Sequence, residues 1–173
     1  SLKRLGVEQI DLYLLHWPGS HPLEDTVAAF EQLREQGKIG AWGVSNFDLE
    51  DMQALTRIAG AGTCVANQVW YSLGERGIEY ALKPWHDQNG VVTIAYCPLD
   101  EGRLPGSQAL AGIARPLGIT TATLPIPWPT QRGRGWPATT KSSGRGRWSG
   151  SCTRTRTVIT SAASVAWWTK PTL

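Results

Sequence analysis

Residues 10–44, IDLYLLHWPGSHPLEDTVAAFEQLREQGKIGAWGV, decide the fold. Their first six residues are a short, mostly apolar run, as expected of a strand buried on both faces. From Leu23 to Gln36 the period changes: Leu23, Val27, Phe30 and Leu33 recur at three- and four-residue steps. Glu24 and Asp25 fall in the first turn of the predicted helix, and Gly37 offers a left-handed stop. Residues 39–44 are then a second strand. Parallel neighbours in a sheet need a crossover of this kind, so strand, helix and strand in this order argue for a parallel α/β fold.

The pattern repeats along the chain. Asp48 can cap a helix whose Leu49, Met52, Leu55 and Ile58 share one stripe. Residues 64–69 form a third strand. A helix over 78–88 is expected to be disturbed by Pro84, Asn89-Gly90 ends it, and residues 91–96 form a fourth strand. A last helix is expected from Ser107 to Ala114, running on to Gly118. No Gly-rich dinucleotide turn follows any strand, so the spacing suits part of a (β/α)8 barrel better than a doubly wound sheet.

The chain has one clear break. All 14 acidic residues lie in positions 1–120 with nine of the Lys and Arg, a formal charge of −5. Positions 121–173 carry the other eight Lys and Arg and no acid, a charge of +8, and five of the nine Trp. Pro125, Pro127 and Pro129 defeat both a helix and a central strand there. The apolar residues of 158–168 are too few and irregular to complete a barrel. We therefore divide the chain into a partial barrel, 1–120, of about four βα units, and an irregular basic tail, 121–173.

Composition bounds the function. No run of apolar residues is long enough to span a membrane, and no secretory leader opens the chain. It starts on Ser1 rather than Met, which suggests a fragment. Cys64, Cys97 and Cys152 are odd in number and far apart, which points to neither disulfides nor zinc and suits a reducing cytoplasm. There is no G-x-S-x-G nucleophile elbow. Cys97 has nothing nearby that marks it as reactive, and His21 and His86 are given no role.

In a parallel barrel, reactive groups belong at the C-terminal ends of strands. Those ends carry His16 and Trp17, then Ser45 and Asn46, then Gln68 with Trp70 and Tyr71, then Tyr96 and Cys97. The neutral donors and acceptors Ser45, Asn46 and Gln68 can match a carboxamide, and Tyr96 offers a face for stacking a ring. His16 can hydrogen-bond a carbonyl oxygen. Each also has a plain structural reading: a turn or cap for Ser45-Asn46, core packing for Tyr96, a backbone partner for Gln68.

IDLYLLHWPG (10–19), AFEQLREQGKIGAWGVSNF (29–47), ANQVWYSL (66–73) and VVTIAYCPLDEGRL (91–104) resemble, in order and spacing, signature segments of the aldo-keto reductases. The resemblance covers roughly residues 1–120 and implies an NAD(P)H-dependent (β/α)8 enzyme reducing aldehydes and ketones, with NADPH as cofactor and NADH as the alternative. It implies that His16 orients the substrate carbonyl and that Ser45, Asn46 and Gln68 hold the nicotinamide carboxamide. Tyr96 would stack on the nicotinamide, and Cys97, Leu99 and 100–102 would belong to the pyrophosphate loop. Trp17 would line the substrate pocket. The family's proton-donating Tyr, with its Lys and Asp, has no counterpart in this sequence. The resemblance thus implies an inactive fragment whose half barrel has open sheet edges.

Two readings of the tail compete. GC-rich coding DNA read out of frame yields this Arg, Gly, Pro, Trp, Thr and Ser mixture. The lesser reading takes the two Gly-Arg-Gly patches, each near a Trp, as a nucleic-acid-binding segment.

Overall fold

The computed structural model describes residues 1–127 and the backbone of two short segments, Thr157–Ile159 and Val165–Trp168. The elements in chain order are α1 (Leu2–Leu5), β1 (Ile10–Leu15), α2 (Leu23–Glu35), β2 (Ile39–Ser45), α3 (Leu49–Ala59) and β3 (Cys64–Trp70). Then follow α4 (Leu82–Asn89), β4 (Val92–Tyr96), α5 (Gln108–Ala114), β5 (Thr157–Ile159) and β6 (Val165–Trp168). They form one parallel sheet in the order β5-β4-β3-β2-β1-β6. The fold is α/β, with β1 to β4 alternating with helices as the sequence predicts.

Helices α1 to α4 pack on one face of the sheet. Phe30 of α2 docks between Tyr13 (ring centroids 5.7 Å apart, nearly perpendicular) and Trp42 (5.3 Å). Met52 and Leu55 of α3 and Leu82 of α4 extend this core, while Ile58 at the end of the predicted stripe stays partly exposed. The opposite face carries Leu12, Leu14, Val65, Ala66, Val92 and Ile94.

Strand β3 changes phase in its first half. Trp42 lies beside Cys64, but Val44 lies beside Asn67, so β3 contains one extra residue against β2. Cys64 joins the helix-side core, Val65 and Ala66 both join the opposite cluster, and Val69 returns to the helix side. This is a bulge, and it sets which later residues of β3 face away from the helices. Gly43 makes room for it: a Cβ there would sit 2.4 Å from the Ala66 carbonyl oxygen and 2.9 Å from Leu14 Cδ2.

Caps fix the helix starts. Asp48 Oδ1 accepts from Asp51 N at 2.9 Å, and Asp51 Oδ2 accepts from Asp48 N at 3.2 Å. This reciprocal box aims α3 away from the turn after β2. Asp48→Ala is expected to cost about 1 kcal/mol, read as a lower urea midpoint at unchanged slope; an unchanged midpoint would remove the cap from this account. Pro84 does not disturb α4, because it is the helix's third residue, where the missing N–H has no helical acceptor. The predicted element instead divides into a 3-10 turn at Gly77–Glu79 and α4.

Two short segments of the tail pair with the sheet. Thr157–Ile159 pairs with β4, and Val165–Trp168 pairs with β1, so both edges of the four-strand sheet are occupied. Edge pairing uses backbone N–H and C=O groups and needs no side-chain period. The rest of the tail beyond residue 127, including both Gly-Arg-Gly patches and Cys152, lies outside the described residues.

Candidate functional site

The ends of β1 to β4 bring the predicted polar residues to one rim. Register places Ser45 beside Gln68, Gln68 beside Ile94, and Trp70 beside Tyr96. Because parallel partners share a face, Ser45, Gln68, Trp70 and Tyr96 stand on the side away from the helices. Ser45 Oγ donates to the Gln68 carbonyl oxygen at 2.6 Å, and Asn46 N donates to the same oxygen at 2.9 Å.

Asn46 is the centre of the cluster. It adopts a left-handed backbone conformation (φ 60°), which turns the chain sharply as it leaves β2. Its Nδ2 donates to the His16 carbonyl oxygen at 3.0 Å, and its Oδ1 accepts from Tyr96 OH at 2.8 Å. One side chain thereby ties the ends of β1 and β4 to the turn after β2. Burial first, and the neighbouring Cys97 second, raise the Tyr96 pKa above the ordinary phenol value, which keeps its hydroxyl a donor. The Trp70 ring lies roughly parallel to Tyr96, with centroids 6.5 Å apart and 26° between planes.

Other predicted residues stand at the margin. Trp17 is 56% exposed, with its ring 5.7 Å from that of His16. Cys97 and Leu99 lie in the loop after β4, where Cys97 O accepts from Asp100 N at 2.8 Å and Leu99 O accepts from Gly102 N at 3.1 Å. Cys97, Asp100 and Glu101 all have positive φ, so this loop shares the unusual backbone of Asn46. Such residues concentrate where a fold shapes a site. Cys64 is buried on the helix side, and desolvation pushes its thiol up to about 12, leaving it unreactive. His21 lines a groove of about 260 Å³ with Tyr13 and Phe30.

Two buried polar atoms of this rim have no hydrogen-bond partner: Gln68 Oε1 and Trp70 Nε1. Gln68 is only 4% exposed, so an unpaired acceptor there costs about 1–3 kcal/mol unless a ligand pairs with it. A primary amide placed against β3 would supply the missing donor. The donor set fits a nicotinamide carboxamide, with neutral groups only and an aromatic ring at the rim. Among the described residues no group of His, Cys, Asp and Glu could hold a metal ion.

Sequence reasoning missed one set of residues. His86, given no role from the sequence, is fully buried in the last turn of α4, together with Asn67 of β3 and Thr93 of β4. Two polar residues on otherwise apolar strands were the available signal, since each needs a buried partner.

The aldo/keto reductase family model matches residues 1–122. The chain belongs to the aldo/keto reductase family. Methylglyoxal reductase YeaE of Escherichia coli is 47% identical over 133 residues, covering 74% of this chain and 47% of that protein. An NADH-specific methylglyoxal reductase of the same organism is 36% identical over 111 residues, covering 62% of this chain and 33% of its own. Among solved structures, an aldo/keto reductase from Klebsiella pneumoniae in complex with NADP and acetate is 46% identical. It superposes with a TM-score of 0.73 and covers 76% of this chain and 48% of its own. This chain spans about half the length of YeaE and of the Klebsiella pneumoniae reductase, and β1 to β4 correspond to part of the aldo/keto reductase barrel.

Proposed function

We propose that this chain carries the nicotinamide-binding and carbonyl-orienting part of an NAD(P)H-dependent aldehyde and ketone reductase. The observation that carries the reading is the orphaned, buried Gln68 Oε1, set beside Ser45 and facing the rim on which Tyr96 stands. Ser45, Asn46 and Gln68 would hold the carboxamide, and Tyr96 would cover one face of the ring, leaving the other toward the substrate. His16 would hydrogen-bond the carbonyl oxygen, with Trp17 closing that side. Cys97 and Leu99 would shape the loop over the pyrophosphate. When bound, the dihydronicotinamide supplies hydride to the carbonyl carbon; the protein's part is to fix distance and face.

NADPH is the assigned cofactor, supported by the Klebsiella pneumoniae complex; NADH is the alternative, supported by the NADH-specific relative. The relatives' names point to small carbonyl compounds of the methylglyoxal type as substrates. Cysteine usage supports a cytoplasmic setting, and among the described residues no helix is long and apolar enough to cross a membrane. The family match ending at residue 122 supports the out-of-frame reading of 121–173. Translating the other two frames past that codon should restore a helix and a strand; failure in both frames removes the idea.

Titration of NADPH fluorescence against the 173-residue chain tests the site. Gln68→Leu and Ser45→Ala should each weaken binding roughly tenfold, as expected for one lost buried hydrogen bond. Equal affinity in wild type and Gln68→Leu would sink the assignment. Because no Tyr, Lys and Asp set is assignable here, NADPH oxidation with methylglyoxal should stay at background. Turnover by this chain would show that some other group delivers the proton.

A further inference from the structure

On the helix side of the sheet, directly behind the rim, lies a polar chain that the proposed chemistry does not use. Asn67 Nδ2 donates to the Phe47 carbonyl oxygen at 2.9 Å and lies 3.2 Å from His86 Nε2, while His86 Nδ1 lies 2.9 Å from Thr93 Oγ1. Asn67 and His86 are 0% exposed and Thr93 is 1%.

The direction of every hydrogen bond in this chain follows from one end. A backbone carbonyl can only accept, so the Asn67 nitrogen, not its oxygen, faces Phe47. The second proton of that nitrogen then points at His86 Nε2, which must carry a lone pair. Nδ1 therefore holds the proton and donates to Thr93 Oγ1. Neutral histidine fits both neighbours. The imidazolium does not, since it would set N–H against N–H at Asn67. The other groups facing the ring, Asn67 from β3 and Thr93 from β4, are uncharged; Lys83, on its own helix, supplies the charge that acts on it.

The chain ends on the residue after Asn46. Two consecutive residues of β3 grip that turn from opposite faces: the Gln68 carbonyl oxygen takes Asn46 N, and the Asn67 side chain takes Phe47 O. Between these grips Asn46 is held at positive φ, in the geometry from which its amide reaches His16 and Tyr96.

We propose that Asn67, His86 and Thr93 form a positioning chain that fixes the Asn46–Phe47 turn and, through it, the carboxamide side of the cofactor pocket. The part that concerns the cofactor rests on the function proposed above. The part that concerns the turn does not. His86 is a positioning residue: it touches neither substrate nor cofactor, and it acts by presenting a lone pair to Asn67 and a proton to Thr93.

The experiment uses the full 173-residue chain as wild type, His86→Leu, Thr93→Val, His86→Gln and Gln68→Leu. Ring nitrogen NMR of the wild type should show the Nδ1–H tautomer from pH 5 to 8. Hydrogen exchange at the Asn46 amide should accelerate roughly tenfold in His86→Leu and Thr93→Val, with the Ile94 amide in the core little changed. His86→Gln, whose amide can both accept and donate, should recover most of the protection. NADPH affinity should follow the Asn46 exchange rate across the series. The Nε2–H tautomer would overturn the proposal, and so would exchange that stays flat or rises equally at Asn46 and Ile94. If His86→Leu does not fold, Thr93→Val, which removes only a hydroxyl, decides alone. Failure of wild type and Gln68→Leu to differ in NADPH binding would overturn the cofactor assignment, and the exchange data would still judge the positioning chain.

Discussion

Gly43→Ala is expected to destabilise the chain by about 3 kcal/mol, the upper part of the range for overpacking. Its Cβ would lie 2.4 Å from a backbone oxygen, which cannot swing aside as a flexible side chain could. Either β2 and β3 separate or the bulge at Val65–Ala66 is pushed out. Both outcomes reach the site. The bulge re-phases β3 so that Gln68, not Asn67, faces the rim beside Ser45. The substituted chain should therefore also bind NADPH more weakly under conditions where it remains folded. Gly112→Ala is the matched control: it lies inside α5 with nothing within 4 Å of its Cβ, and should stabilise by about 0.5–1 kcal/mol. Urea midpoints of the two variants should move in opposite directions. A loss below about 1 kcal/mol for Gly43→Ala would mean that the strands accommodate a methyl group, and the bulge would lose its role.

That bulge marks the limit of what the sequence discloses. Periodicity placed β1 at residues 10–15 and α2 from Leu23, and both stand there. Ser107 caps α5 and Gly118 takes a left-handed stop, as their residue types require. The rule that chemistry sits at strand ends gathered His16, Ser45, Asn46, Gln68 and Tyr96, and the structure joins all five through the Asn46 and Ser45 hydrogen bonds. The phase of β3 was not legible. Strict alternation from Cys64 would turn Gln68 toward the helices, and nothing in the run of residues 64–70 announces an extra one. The signal sits on the neighbouring strand, in a glycine whose reason is a carbonyl group opposite it. His86 was invisible for a related cause: its neighbours Asn67 and Thr93 come from different strands, and only the packing of α4 on the sheet brings them together.

The two faces of β3 divide the labour of the site. Toward the rim, Gln68 presents a side-chain oxygen that is left unpaired. Toward the helices, Asn67 spends its amide nitrogen on Phe47 and His86. A ligand amide binding at the rim would thus meet a carbonyl group whose strand is locked from behind. This limits the reorganisation needed on binding, which is how preorganisation improves affinity. Asn46 is less free. Its amide is committed to His16 and Tyr96, so a ligand must take over at least one of those bonds.

Acidification from pH 7 to pH 4 is expected to remove about 3 kcal/mol of stability through His86 alone. Burial first, and the positive charge of Lys83 second, lower its pKa from 6.5 to about 4. In the unfolded chain the ring takes a proton near 6.5, while in the folded chain it stays neutral down to about 4. Between these values the unfolded state binds more protons, so stability falls as the pH falls. The contribution is fully present above the unfolded pKa and is lost on the way down to the folded one. Carboxylates titrate over the lower part of this window, so the decisive quantity is the difference between two proteins. Wild type and His86→Gln should be compared by urea unfolding at pH 7, 5.5 and 4. The wild type should lose about 3 kcal/mol more than the variant between the ends, with part of the gap already open at pH 5.5. Parallel curves would mean that His86 titrates alike in both states, which a fully buried ring accepting from Asn67 and donating to Thr93 cannot do.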